Sequence, residues 1–257
     1  MILVIDVGNT NIVLGAYEGE ELIDSWRMTT TNERTSDETG IFIHSLFQSS
    51  GIDSKRLESV IISSVVPSIM YSLTHGIRKY FGIDPMIVSA GMKTGINLRM
   101  ENPKELGSDR IVNMVAANEI YGGPAVVIDF GTATTYDVIN DKGEFITCMI
   151  APGIRISADA LFQRAAQLPK IEIKAPKSII AKTTVECMQA GVVFSHVGET
   201  VYIINRLKKD LGLPNLKVIG TGGLARVIND AEKVFDYLDP MLTLKGLKIL
   251  YEKNKRR

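Results

Sequence analysis

The chain has 257 residues, 45% of them hydrophobic and 23% charged, with 29 basic side chains balanced by 29 acidic ones. That composition excludes collagen-like, coiled-coil and low-complexity chains, and zero net charge leaves no global field to gather a polyanion. Area scaling buries about 73% of the unfolded surface for a chain of this mass, enough for two sizeable cores.

Residues 1–6 are an apolar run ending in Asp6, followed by Gly8-Asn9-Thr10-Asn11 and a second apolar run at 12–17. The pattern predicts strand, turn, strand, with 22–28 as a third strand after Glu18-Gly19-Glu20. A helix is expected over 36–47, capped by Ser36 or Asp37, then a buried strand at 60–66. Pro67 opens a helix running towards Phe81, and 86–89 is another strand. Three strands followed by alternating helix and strand make an α/β unit. A further helix at 108–121 is stopped by Gly122-Gly123-Pro124.

The pattern then begins again. Val127-Ile128-Asp129-Phe130-Gly131 matches Val4-Ile5-Asp6-Val7-Gly8 at an offset of 123 residues, and strands at 136–139 and 145–150 follow it. A repeated motif in a repeated context predicts a duplicated α/β fold. Its two lobes are 1–121 and 122–257, closely packed around one cleft. A third glycine cluster, Gly220-Thr221-Gly222-Gly223, lies between an apolar strand and a helical stretch. It fits backbone lying against an adenine ring, and equally a tight strand-to-helix connection.

A strand that ends in Asp and runs into Gly and small polar residues has a specific use. Gly8 or Gly131 lets the backbone turn tightly and approach a bulky anion. Successive N–H groups, with the side chains of Asn9, Thr10 and Thr132, can then cradle phosphate oxygens. Either loop alone is also a plain β-hairpin turn. Two matching loops favour phosphate. Ahead of the 108–121 helix stands Gly107-Ser108-Asp109-Arg110. Ser108 can cap the helix, and Asp109 can compensate its dipole. Arg110 is a cation in a turn that disfavours cations, and acid with guanidinium there suits an alcohol acceptor beside a phosphoryl group.

Other chemistries find little support. Cys148 and Cys187 make neither a disulfide framework nor a metal cluster, and His44, His75 and His196 lack companions at ligand spacing. The N-terminal segment has no basic n-region, no apolar stretch reaches a membrane span, and the basic run at 253–257 is expected to be a solvated tail. The expectation is a cytoplasmic protein with neither a membrane nor a nucleic-acid partner.

Taken in order, Asp6-Val7-Gly8-Asn9-Thr10-Asn11, Gly107-Ser108-Asp109-Arg110, Asp129-Phe130-Gly131-Thr132-Ala133-Thr134 and Gly222-Gly223 resemble the type III pantothenate kinases. The resemblance runs nearly end to end. That family belongs to the acetate and sugar kinase/Hsp70/actin superfamily, so it implies two duplicated ribonuclease-H-like lobes, the actin-like ATPase fold, around a central nucleotide cleft. It further implies that Asp6, Val7, Gly8, Asn9, Thr10, Asn11, Ile12 and Val13 bind ATP, with Thr132 contributing from the second lobe. Asp109 would accept the proton of pantothenate, while Met100, Gly107, Ser108, Arg110 and Thr184 would contact that substrate. Asp129 would hold a monovalent cation, potassium or ammonium, with Mg2+ accompanying ATP, and the enzyme would be a homodimer. Many members have Ala where this chain has Ser108, and many have Tyr where it has Met100.

The resulting expectation is ATP-dependent phosphorylation of pantothenate to 4'-phosphopantothenate, the first step towards coenzyme A. One rival is an exopolyphosphatase-like phosphohydrolase of the same superfamily, with water as acceptor. Another is a non-catalytic, nucleotide-gated binding module, which would need a peptide-binding domain or a filament surface besides the two lobes.

Overall fold

Apolar runs punctuated by glycine turns form two sheets. The computed structural model describes residues 1–89, 91–98, 102 and 105–255. Its first elements are β1 (Ile2–Val7), β2 (Asn11–Glu18), β3 (Glu21–Thr29), α1 (Ser36–Ser49), β4 (Ser59–Ser64), α2 (Met70–Phe81), β5 (Met86–Ile87) and β6 (Asn97–Leu98). There follow α3 (Ser108–Ile120), β7 (Ala125–Phe130), β8 (Ala133–Ile139), β9 (Glu144–Pro152) and α4 (Ile154–Arg164). The chain finishes with α5 (Thr184–Asp210), β10 (Lys217–Thr221), α6 (Ala225–Ala231), β11 (Tyr237–Leu238) and α7 (Leu242–Asn254).

Two units emerge: Met1–Gly95 with Glu101–Ala116 and Thr243–Arg257, and Ile96–Met100 with Ala117–Leu242. In the first, the strand order is β3-β2-β1-β4-β5, with β1 antiparallel to β2 and parallel to β4. In the second it is β11-β10-β7-β8-β9-β6, with β7 antiparallel to β8 and parallel to β10. Apart from the added edge strand β6, the two orders are the same.

One face of the first sheet presents Leu3, Ile5, Val7 and Leu14 to Ile43 and Phe47 of α1 and Leu73 and Ile77 of α2, all buried. In the second unit Val126, Ile128, Phe130 and Tyr136 meet Ile154 and Ala158 of α4, Val193 and Val197 of α5, and Ile228 of α6. Each large side chain so buried contributes about 1.5–3 kcal/mol.

The sequence boundary at 121/122 differs from these units. Helix α7 belongs to the first unit: Leu244 packs on Gly15, Tyr251 donates to Ser59 Oγ at 2.9 Å, and nearly buried Lys248 reaches Glu20 at 2.8 Å. Side chains distant in sequence made this packing, so local pattern gave no sign of it. The expected cap of α1 also shifts by one residue. Thr35 is the N-cap, and its hydroxyl and backbone exchange hydrogen bonds with Glu38 in a capping box, an arrangement worth about 1 kcal/mol.

Candidate active site

In the first unit, Asp6 closes β1 in register with Val13 on one side and Ser63 on the other. The turn beyond it is braced from the end of β3. Gly8 N–H donates to Asn11 O at 3.0 Å, Thr30 N–H to Thr10 O at 3.1 Å, and Thr30 Oγ1 to Gly8 O at 2.6 Å. Asn9 and Thr10 are exposed at its tip, whereas Val7 and Ile12 are core side chains that leave only backbone to a ligand. Neither Gly8 nor Gly131 adopts a positive φ, and at Gly8 the close quarters are steric, since a Cβ there would lie 3.1 Å from Asn11 O.

The acceptor motif is tied to this same corner. Ser108 is the first residue of α3 and does not cap it; Gly107 O accepts from Ile111 N at 3.3 Å. The Ser108 hydroxyl instead lies 3.0 Å from Ser63 Oγ, 3.1 Å from Ser64 N and 3.0 Å from Ser64 O, clamping the helix start to the end of β4. Ser63 is the register partner of Asp6, so the clamp ties the start of α3, which carries Asp109, to the strand beside β1. Asp109 Oδ1 accepts from Arg110 N at 2.8 Å. The carboxylate folds back over Gly107, where any Cβ would collide with it. Burial pushes its pKa up, against the opposing pull of the Arg110 N–H and guanidinium. Met100, the remaining expected contact on this side, lies outside the described residues.

In the second unit Asp129 closes β7 between Thr135 of β8 and Thr221 of β10. Gly131 N–H donates to Ala133 O at 3.1 Å, and Thr132 is exposed at the tip. Gly222 sits on this corner with φ of 91°; a Cβ there would strike Asp129 Oδ1 and lie 2.6 Å from Phe130 N. The third glycine cluster is thus a strand-to-helix connection packed closely against Asp129 and Phe130. Gly153, the N-cap of α4, presses on the same turn from elsewhere, since its Cβ would overlap Thr132 O and come within 2.8 Å of Gly131 O. Sequence reasoning missed Ser63, Ser64 and Gly153, whose partners lie far away along the chain.

Thr184 belongs to the second unit. It is the first residue of α5, after a capping box between Thr183 and Glu186; backbone N–H groups of Lys182 and Thr183 hold the Glu186 carboxyl below its usual range. Thr184 lies on the rim of an open groove of about 500 Å³ between α4 and α5, lined also by Ser157, Leu161, Met188 and His196. His196 is the buried histidine; His44 and His75 lie on α1 and α2, and both cysteines are free thiols. Among the described residues, no cluster of His, Cys, Asp and Glu could hold a metal alone, and no helix is long and apolar enough to cross a membrane.

The family model for type III pantothenate kinase matches residues 2–206. Among solved structures, one from Sinorhizobium meliloti described as a 2-dehydro-3-deoxygalactonokinase superposes with a TM-score of 0.63 at 10% identity, over 100% of this chain and 98% of its own. One from Campylobacter jejuni, described as a Baf family transcriptional activator, gives 0.58 at 19% identity over 98% of each chain. Ethanolamine utilization protein EutJ from Carboxydothermus hydrogenoformans gives 0.58 at 14%, over 96% of this chain and 89% of its own. At these identities the likeness is one of fold, the duplicated α/β architecture of actin-like ATPases and sugar kinases.

Proposed function

The chain belongs to the type III pantothenate kinase family and phosphorylates pantothenate with ATP, and from that membership we propose how its residues divide the work. Asp6 to Val13 and Thr132 bind the ATP phosphates, and Asp109 receives the proton from the primary hydroxyl of pantothenate. The hydroxyl oxygen bonds to the γ-phosphorus as the bond to the bridging oxygen breaks, ADP departs, and the proton passes to the Asp109 carboxylate. Such a transfer depends on positioning and charge neutralisation. Gly107, Ser108, Arg110, Met100 and Thr184 contact the acceptor. The observation that carries this reading is the clamp of Ser108 on Ser63 and Ser64, beside Asp6. It supports a fixed carboxylate next to a phosphate-type turn, and burial raises the basicity of that carboxylate.

Mg2+ accompanies ATP and neutralises phosphate charge. We further assign a monovalent cation, potassium or ammonium, to Asp129, where it would offset the carboxylate beside bound phosphate. The fit rests on the chemistry of the Asp129 carboxylate, an anionic oxygen donor against which Gly222 packs with no side chain of its own. A homodimer is the assembly this reading favours: Ile150, Phe162, Ile179, Ile180 and Tyr202, all in the second unit, are exposed apolar or aromatic side chains. The product would feed coenzyme A synthesis in the cytoplasm. ADP release measured with and without pantothenate tests the assignment. Turnover should require pantothenate, whereas phosphate release at equal rate without it would favour hydrolysis.

A further inference from the structure

The groove and the second phosphate-type turn share one structural part, helix α4. Its first turn carries Gly153 against the carbonyls of Gly131 and Thr132, and its inner face supplies Ser157 and Leu161 to the groove. Ser157 ties the two ends together. Its N–H donates to Gly153 O at 3.0 Å, its hydroxyl lies 3.1 Å from that same carbonyl, and the hydroxyl is also 3.4 Å from His196 Nε2.

His196 is 6% exposed on the groove floor, with Nδ1 2.7 Å from Val192 O. A carbonyl only accepts, so Nδ1 carries the hydrogen, and in the neutral ring Nε2 is an acceptor. The Ser157 hydroxyl therefore has one hydrogen and two acceptors, Gly153 O and His196 Nε2. It can close the first turn of α4 on itself or swing to the groove floor. A ligand in the groove that meets Ser157 or His196 biases that choice. Gly153 passes that bias on to the turn it packs against, where even a Cβ would overlap Thr132 O.

We propose that α4 couples the two sites, so that a ligand filling the groove changes how tightly the Gly131–Thr132 turn holds phosphate, with Ser157 as the positioning residue between them. The proposal rests on the reading above, in which Thr184 marks the groove as an acceptor contact and Thr132 binds ATP. Coupling of this kind is reciprocal, and a physical element with two arrangements is what it needs.

The test is a calorimetric cycle on the full chain, with a non-hydrolysable ATP analogue titrated with and without saturating pantothenate. In the wild type the analogue's Kd should shift by about fivefold or more. The ratio is the readout, so a change in either affinity alone does not affect it. Ser157→Ala should bring the ratio to near one, and Ser157→Thr, which keeps the hydroxyl, should restore it. A destabilised helix would not be rescued in that way, and thermal melts of both variants check for it. A ratio of one in the wild type, or an undiminished ratio in Ser157→Ala, overturns the coupling while each binary affinity remains measurable. Absence of pantothenate binding in the wild type removes the underlying reading, and the coupling with it.

Discussion

The two strand–turn–strand corners were built alike and finished differently. β1 and β7 each bury four residues, half-expose an Asp and bury the next side chain. β2 and β8 carry a register irregularity at matching places, Ala16/Tyr17 and Val138/Ile139. The turns differ by one residue: Val7 pairs with Ile12, but Phe130 pairs with Thr134. The parallel neighbours differ more. Beside Asp6, β4 offers Ser63 and Ser64, both engaged by Ser108; beside Asp129, β10 runs into Gly222. One copy of the scaffold was used to anchor an acid on an incoming helix, and the other packs a glycine connection against its carboxylate.

Breaking the anchored side should have the largest effect. Asp109→Asn removes the proposed proton acceptor and should lower turnover at least about a hundredfold. Because burial raises the Asp109 pKa in the folded state, its protonated form favours folding at low pH, and that contribution is lost as pH rises through the raised value. The ionised group therefore costs stability near neutrality. Asp109→Asn should melt higher than wild type at pH 7, and the gap should close as pH falls below the ordinary carboxylate value of about 3.9. An inactive variant that also melts lower at pH 7 would point to structural damage instead.

On the Asp129 side the expected effect is on ion dependence. With Asp129 holding the monovalent ion, activity in potassium or ammonium should exceed that in sodium at matched ionic strength, and Asp129→Asn should lose the preference together with most of its activity. Equal rates in the two buffers would remove the cation from Asp129.

The glycines sharpen the contrast. Gly222→Ala imposes a side chain at φ of 91° against Asp129 and Phe130; the backbone penalty alone is about 1–2 kcal/mol, and the collision adds to it. Gly8→Ala places a Cβ 3.1 Å from Asn11 O at an ordinary φ, where the change should stay within about 1 kcal/mol. Urea unfolding of the two variants decides whether the corners differ as described, and equal losses would contradict it.

The duplicated hairpins were legible because Ile-Asp-x-Gly and the strand alternation are local signals. What sequence could not convey is where side chains find partners. Ser108 before a helix looks like a cap, yet its hydroxyl goes to Ser63 and Ser64, more than 40 positions earlier. Helix α4 escaped notice because Ile156, Leu161 and Phe162 are exposed on it while only Ile154 and Ala158 are buried, so no single apolar stripe stands out. β6 and β11 have two residues each, too few to show a period of two. The placement of α7 depends on Lys248 and Tyr251 reaching Glu20 and Ser59, contacts made across almost the whole chain.

The smallest effect lies within the corners themselves. Thr134, directly opposite Phe130, is fully buried, and its hydroxyl has no hydrogen-bond partner among the described residues. Its counterpart beside Val7 is Ile12, an apolar side chain in the first core. An unsatisfied buried hydroxyl costs about 1–3 kcal/mol, and valine keeps nearly the same volume while suiting a strand. Thr134→Val therefore makes the second corner more like the first and should stabilise the chain by about 1 kcal/mol, a rise in Tm of about 2–4 °C at this size. Turnover should be unchanged, because Thr134 faces Phe130 and Ala151 on the core side of the sheet, whereas Asp129 and Thr135 lie on the other face. A fall in Tm would mean that the hydroxyl is satisfied by ordered water, and the two corners would then differ in hydration as well as in turn length.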